Sequence, residues 1–176
     1  MMAKPRRIYW DSCAWLGLVN GEADKKRELG IIYAGANRNF YEIWTSAVAI
    51  VEVCRHADEK DLPKPLDPAK LKVLDDLFLQ PFIKVVPYDL ETAQLARKLY
   101  RETAGLGKRW DAAHLATAMR SNIETMHTYD REDLLHLSGK LTCRNGNPLI
   151  ICYPDETTDG TLFAKSRRPK QAGGAG

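Results

Sequence analysis

The chain has 176 residues, 44% of them hydrophobic and 28% charged, values that exclude global disorder and allow one domain with a full core. A chain of this length buries roughly 70% of the surface its unfolded form exposes. The net charge of +3, from 26 basic and 23 acidic residues, is too balanced to announce a nucleic-acid binder by composition. Basic residues do gather locally, at Lys25 to Arg27, at Arg97, Lys98 and Arg101, at Lys108 and Arg109, and at Arg167, Arg168 and Lys170. Such groups usually form solvated faces. Cys13, Cys54, Cys143 and Cys152 lack the paired spacing of zinc or redox sites and read as free thiols. With no signal-peptide pattern and no apolar run near the roughly 20 residues that span a bilayer, a cytoplasmic, non-membrane protein is expected.

In chain order, Arg7 to Trp10 reads as a buried strand that stops at Asp11, and a helix starts at Ser12. A helix over 22–36 follows, then a strand Glu42 to Thr45 with a Ser46 cap, and a helix from Ala47 to His56. Its apolar stripe is read as Ala47, Ile50, Val51 and Cys54, with Glu52 in mid-helix on the shoulder. Residues 57–68, with three prolines, form a polar connection. A helix over 68–79, a strand over 82–86, a helix over 89–102 and breaks at Gly105 and Gly107 come next. Trp110 to Arg120 spaces Ala112, Leu115, Ala116 and Met119 as one buried helical face with Asp111 at its edge. Thr125 to Tyr129 is a strand ending at Asp130, Arg131 to Leu137 a short helix, and 149–153 a last strand after an Asn-Gly-Asn-Pro turn. Residues 1–154 thus form the domain, and the polar, Gly/Ala-rich residues 155–176 a disordered tail.

Strands alternating with helices imply a three-layer α/β/α sandwich around a mostly parallel sheet, whose sites form beyond the carboxyl ends of the strands. Asp11 and Asp130 stand at that edge. Asp111 and Glu52 belong to helices able to reach it. Taken singly, Asp11, Asp111 and Asp130 read as helix caps or first-turn acids, and Glu52 as the partner of Arg55. An ionised carboxylate out of water needs a partner, so four acids converging on one cleft would form a hard-cation site.

The segments Ile8 to Ser12, Thr45 to Val53, Asp111 to Ala118 and Thr128 to Leu134, in this order, resemble those of the PIN-domain nucleases, most closely the toxins of VapBC toxin–antitoxin systems. The resemblance covers about residues 6–137. It implies a metal-dependent endoribonuclease with Mg²⁺ or Mn²⁺ held by Asp11, Glu52, Asp111 and Asp130, a cognate antitoxin as partner, and a homodimer. Ser12, Thr128 and Asp133 would then assist as outer groups, with local capping as the alternative for Ser12 and Thr128 and a charge in the first turn of a helix for Asp133. Arg55, Lys108 and Arg109 would soften the repulsion between an acidic pocket and an RNA backbone. His114, one turn after Asp111, reads as a packed side chain, since no second His or Cys accompanies it; His127 reads likewise. A PIN-fold nuclease for DNA or structured nucleic acid and a non-catalytic RNA-binding module are the rival readings. An Asp-nucleophile phosphatase is disfavoured, because Cys13 stands where that chemistry usually has a second Asp.

Overall fold

The computed structural model describes residues 4–54 and 67–154. Strand β1 (Arg6–Trp10) sets the architecture: Ile8, Tyr9 and Trp10 alternate in direction, and none is exposed. A strand buried on both sides needs helices on both sides. Ile8 and Trp10 pack into a core with Trp15, Leu29, Ile32 and Phe78, whereas Tyr9 joins Leu99, Leu115 and Met126 on the other side.

The first core is covered by α1 (Ser12–Val19), α2 (Lys26–Asn37) and α4 (Pro68–Phe78), the second by α5 (Leu90–Glu102) and α6 (Arg109–Arg120). Between them lie β2 (Tyr41–Ser46), β3 (Ile83–Val86), β4 (Thr125–His127) and β5 (Ile150–Cys152) alongside β1; the six-residue α3 (Ala47–Glu52) follows β2. Every pairing of these five strands is parallel, in the order β3-β2-β1-β4-β5. The expected three-layer α/β sandwich is therefore the fold.

The chain builds outward from β1 to β3, then crosses back to lay β4 on the other side of β1. Where strand order reverses, neighbouring connections leave to opposite faces and a crevice opens at the carboxyl edge. That switch point lies between β1 and β4. Trp15 Nε1 donates to Thr45 Oγ1 at 3.1 Å, and Thr45 donates to the Trp10 carbonyl at 2.8 Å, which ties the end of β1 to β2 and α1. Side-chain caps start the helices: Ser46 accepts from Val48 N–H, Asp67 from Ala69 and Asp89 from Thr92. Each is worth about 1 kcal/mol.

Three local expectations are corrected. The helix after β2 ends at Glu52, so Glu52 is terminal rather than central, and its buried face is Val48 and Ala49; Ile50, Val51 and Cys54 are exposed. The helix expected at 131–137 is a series of turns with one 3₁₀ turn at Leu135–Leu137: Asp130 caps the start, but Leu135 N–H reaches back to the Asp130 carbonyl and Leu137 N–H to that of Leu134. Residues 22–25 form a turn before α2, closed by Lys25 and Lys26 N–H on the Glu22 carbonyl. Arg55 and the connection over 57–66 lie outside the described residues, as does the tail from 155.

Gly35 on α2 lies against the Tyr41 ring, where an added Cβ would meet ring atoms at 2.8 and 2.9 Å. Gly35→Ala should therefore destabilise the protein by about 1–3 kcal/mol in urea denaturation, despite the better helix propensity of alanine.

Candidate active site

Asp11 follows β1 directly, is 2% exposed, and accepts from Ala14 N–H at 3.0 Å through Oδ1. It is both a cap and a site residue by position. Burial pushes its carboxyl above the usual range; nearby His114 and a hydrogen bond from Thr128 pull the other way, and Glu52 adds to the rise. Thr128, fully buried, also accepts from Asp130 N–H at 2.9 Å, so one hydroxyl links the loops after β1 and β4. Ser12 is buried at the first position of α1.

Asp130 turns one oxygen inward and one outward. Oδ1 accepts from Glu132 and Asp133 N–H at 3.0 and 2.9 Å, and Oδ2 accepts from Lys108 Nζ at 2.6 Å. Burial raises its carboxyl, but these donors outweigh it and leave it below the usual value. Asp133 repeats the arrangement, with Oδ1 on Gly107 N–H at 3.0 Å and Oδ2 2.7 Å from Lys108 Nζ. The two acids thus share a single ammonium from a distant part of the sequence. That ammonium is held well above its ordinary range by its hydrogen bonds to Asp130 and Asp133.

Asp111 differs from both. At the first turn of α6, its Oδ2 is buried and has no hydrogen-bond partner among the described residues; Lys108 Nζ is 4.0 Å away, close enough for attraction and too far for a hydrogen bond. Burial pushes its carboxyl up to about 7; Lys108 opposes this, and Asp130, Asp11 and Asp133 reinforce it. Oxygens of Asp111, Asp130 and Asp133 lie within 4.8 Å of one another. A set of carboxylate oxygens alone suits a hard divalent cation rather than zinc.

Glu52 reaches the region from α3 and pairs with His114: His114 Nε2 is 2.7 Å from Glu52 Oε2. His114 is packed, as expected, with no exposed surface, but its tie to an acid was missed. Its position three residues after Asp111, on the same side of α6, was the available signal. Asp133, read first as a helix-start charge, belongs to the carboxylate group itself. Arg109 lies over the Tyr100 ring at 5.9 Å, and His127 is buried, accepting from Trp10 Nε1 at 3.1 Å.

Two stability effects follow. Asp111 ionises less readily folded than unfolded, so its contribution to metal-free stability declines as pH rises from about 4 to about 7 and is fully unfavourable above that. Asp111→Asn should raise the metal-free melting temperature at pH 8 by a few degrees, about 1 kcal/mol, in a thermal melt without divalent ions. His127 has the opposite pH sign. Burial lowers its imidazole from 6.5 to about 3, so unfolding takes up a proton and stability falls as pH drops through that window. In Asp111→Asn, where the opposing slope of Asp111 is gone, the unfolding free energy should rise with pH by up to about 1.4 kcal/mol per unit from His127, read from urea denaturation at pH 4 to 6.

No curated protein sequence matches the chain. Among solved structures, VapC20 of Mycobacterium tuberculosis, a sarcin–ricin loop cleaving toxin, is similar with 16% sequence identity and a TM-score of 0.54, over 71% of this chain and 91% of that chain. At this identity the likeness is one of fold. The PIN domain family model matches residues 8–139, a span that begins inside β1 and contains Asp11, Glu52, Asp111, Asp130 and Asp133. With most of its length and all five acids inside that match, the chain belongs to the PIN domain family.

Proposed function

We propose that this PIN-domain protein is a metal-dependent endoribonuclease that hydrolyses phosphodiester bonds of RNA as the toxin of a type II toxin–antitoxin pair. The observation that carries the reading is the buried Asp111 Oδ2, a carboxylate oxygen without a donor among the described residues, grouped with acids of the loop after β4 at the switch point. A buried acceptor left unpaired costs about 1–3 kcal/mol or more, a cost that a cation offsets. Family membership and the likeness to a toxin that cleaves an RNA loop support the same conclusion.

Asp111, Asp130, Asp11 and Glu52 would hold Mg²⁺ or Mn²⁺, with Asp133 beside them. Such an ion, when bound, polarises phosphoryl oxygen and makes water a better nucleophile. The protein's own contribution is to fix the acids before substrate arrives. Thr128 ties Asp11 to the Asp130 loop, and the main-chain N–H groups of 132 and 133 hold Asp130 from behind. Lys108, with its side chain 58% exposed, spans the mouth. Its ammonium neutralises Asp130 and Asp133 and must give way when another cation enters, after which it is free to meet an RNA phosphate. Ser12 lies beside Asp11, while Arg109 stays at the rim on Tyr100.

A cognate antitoxin protein, a homodimeric state and action in the cytoplasm belong to this proposal. No described helix is long and apolar enough to cross a membrane. The decisive experiment incubates the protein with RNA hairpins, single-stranded RNA and matched DNA in Mg²⁺, Mn²⁺ or EDTA, alongside Asp11→Asn and Asp111→Asn. RNA cleavage that needs the metal and falls by about 100-fold or more in both variants is expected. Cleavage in EDTA, full activity of both variants, or cleavage of DNA alone would overturn the reading. Lys108→Met should lower the metal-free melting temperature and enlarge the upward shift on adding Mn²⁺, because the acids lose their resident cation; equal shifts in variant and wild type would count against its role.

A further inference from the structure

We propose that His114 is a positioning residue for Glu52, locked by Tyr9, so that a buried chain from β1 through α6 places the acid at the end of α3. The role of Glu52 rests on the metal-site reading above. Glu52 has little hold from its own element. It is the last residue of a six-residue helix, and a carboxylate at a helix C-terminus faces unpaired carbonyls and the unfavourable end of the dipole. The hold comes from across the site.

His114 stands on the twelve-residue α6, with no exposed surface, and its two ring nitrogens make two 2.7 Å contacts: Nδ1 with Tyr9 Oη and Nε2 with Glu52 Oε2. The Tyr9 and His114 rings meet edge to face, with centroids 5.8 Å apart and planes at 67°. For a neutral imidazole beside an ionised Glu52, these contacts assign the protons. An ionised carboxylate only accepts, so Nε2 must carry a hydrogen and donate it to Glu52. A neutral imidazole then presents Nδ1 as acceptor, and the Tyr9 hydroxyl is the donor facing it. Burial holds the Tyr9 phenol well above its usual range, so its proton is available. The Thr117 hydroxyl beside that phenol gives its own hydrogen to the Ala113 carbonyl at 2.8 Å.

Outer partners of metal ligands commonly cost 10–100-fold in affinity when removed, through loss of orientation rather than of a ligand. The test uses two readouts that do not depend on cleavage. Long-range ¹⁵N–¹H NMR of the metal-free, histidine-labelled protein reports the tautomer of His114, which is expected to be the Nε2–H form. Mn²⁺ titration followed by electron paramagnetic resonance is expected to show affinity reduced about 10-fold or more in His114→Leu and largely recovered in His114→Gln, whose amide can still donate. Tyr9→Phe keeps the ring and removes the hydroxyl, so a several-fold loss is expected without a change of fold. It carries the affinity arm if His114→Leu does not fold. An Nδ1–H tautomer in the wild type, or wild-type Mn²⁺ affinity in folded His114→Leu or Tyr9→Phe, would overturn the inference. A wild-type protein that binds no Mn²⁺ would instead overturn the metal-site reading, and the His114 to Glu52 hydrogen bond would still stand or fall on the tautomer.

Discussion

Crowding of negative charge at the carboxyl edge between β1 and β4 is the constraint around which this protein is arranged. Asp111, Asp130 and Asp133 present oxygens within 4.8 Å of one another, in a place where water is scarce for Asp111. Left alone, such a group repels itself and resists ionisation. The protein accepts that cost at Asp111 and relieves it at Asp130 and Asp133 with one lysine and several main-chain N–H groups. The division is chemically sensible. The relieved acids are fixed by their donors, and the unrelieved one is where a cation gains most.

Capping and site-building are the same act here. Asp130 and Asp133 each give one oxygen to a nearby main-chain N–H and the other to the cluster. Asp11 caps α1 while standing at the end of β1. A carboxylate anchored through one oxygen has lost much of its rotamer freedom, so the second oxygen is presented with little further ordering cost. A structural explanation of these acids therefore does not weaken the functional one.

Much of the architecture was legible in the residues. The strand-helix alternation, the five strands and the placing of Asp11 and Asp130 at the strand ends follow from short apolar runs bounded by acids and turns. Arg131 to Leu137 has helical composition and a capping acid at Asp130, but its main-chain bonds run as Leu135 N–H to the Asp130 carbonyl and Leu137 N–H to that of Leu134, so no α-helical ladder forms. The stripe assigned to Ala47 through Cys54 went to the wrong face because Val48, Ala49, Ile50 and Val51 are all apolar, and periodicity cannot choose between faces of a short apolar run. Asp133 and His114 acquire their contacts from partners distant in sequence, at Lys108 and Glu52, and the local pattern marks only the side of α6 on which His114 lies.

The seam on which the acids stand is also the thinnest line of the sheet. Strand β1 is in register with β4 at only two positions, Tyr9 with Met126 and Trp10 with His127, against four with β2. Beyond them, Asp11 N–H reaches the His127 carbonyl at 3.5 Å, and Arg7 braces the other end on the carbonyl of Asn122 at 3.0 Å. Few ladder bonds mean a low free energy for local opening, and opening here would part Asp11 from Asp130. Whatever bridges those two carboxylates also staples the sheet across its weakest join, so occupancy of the site and cohesion of the two halves of the fold rise and fall together.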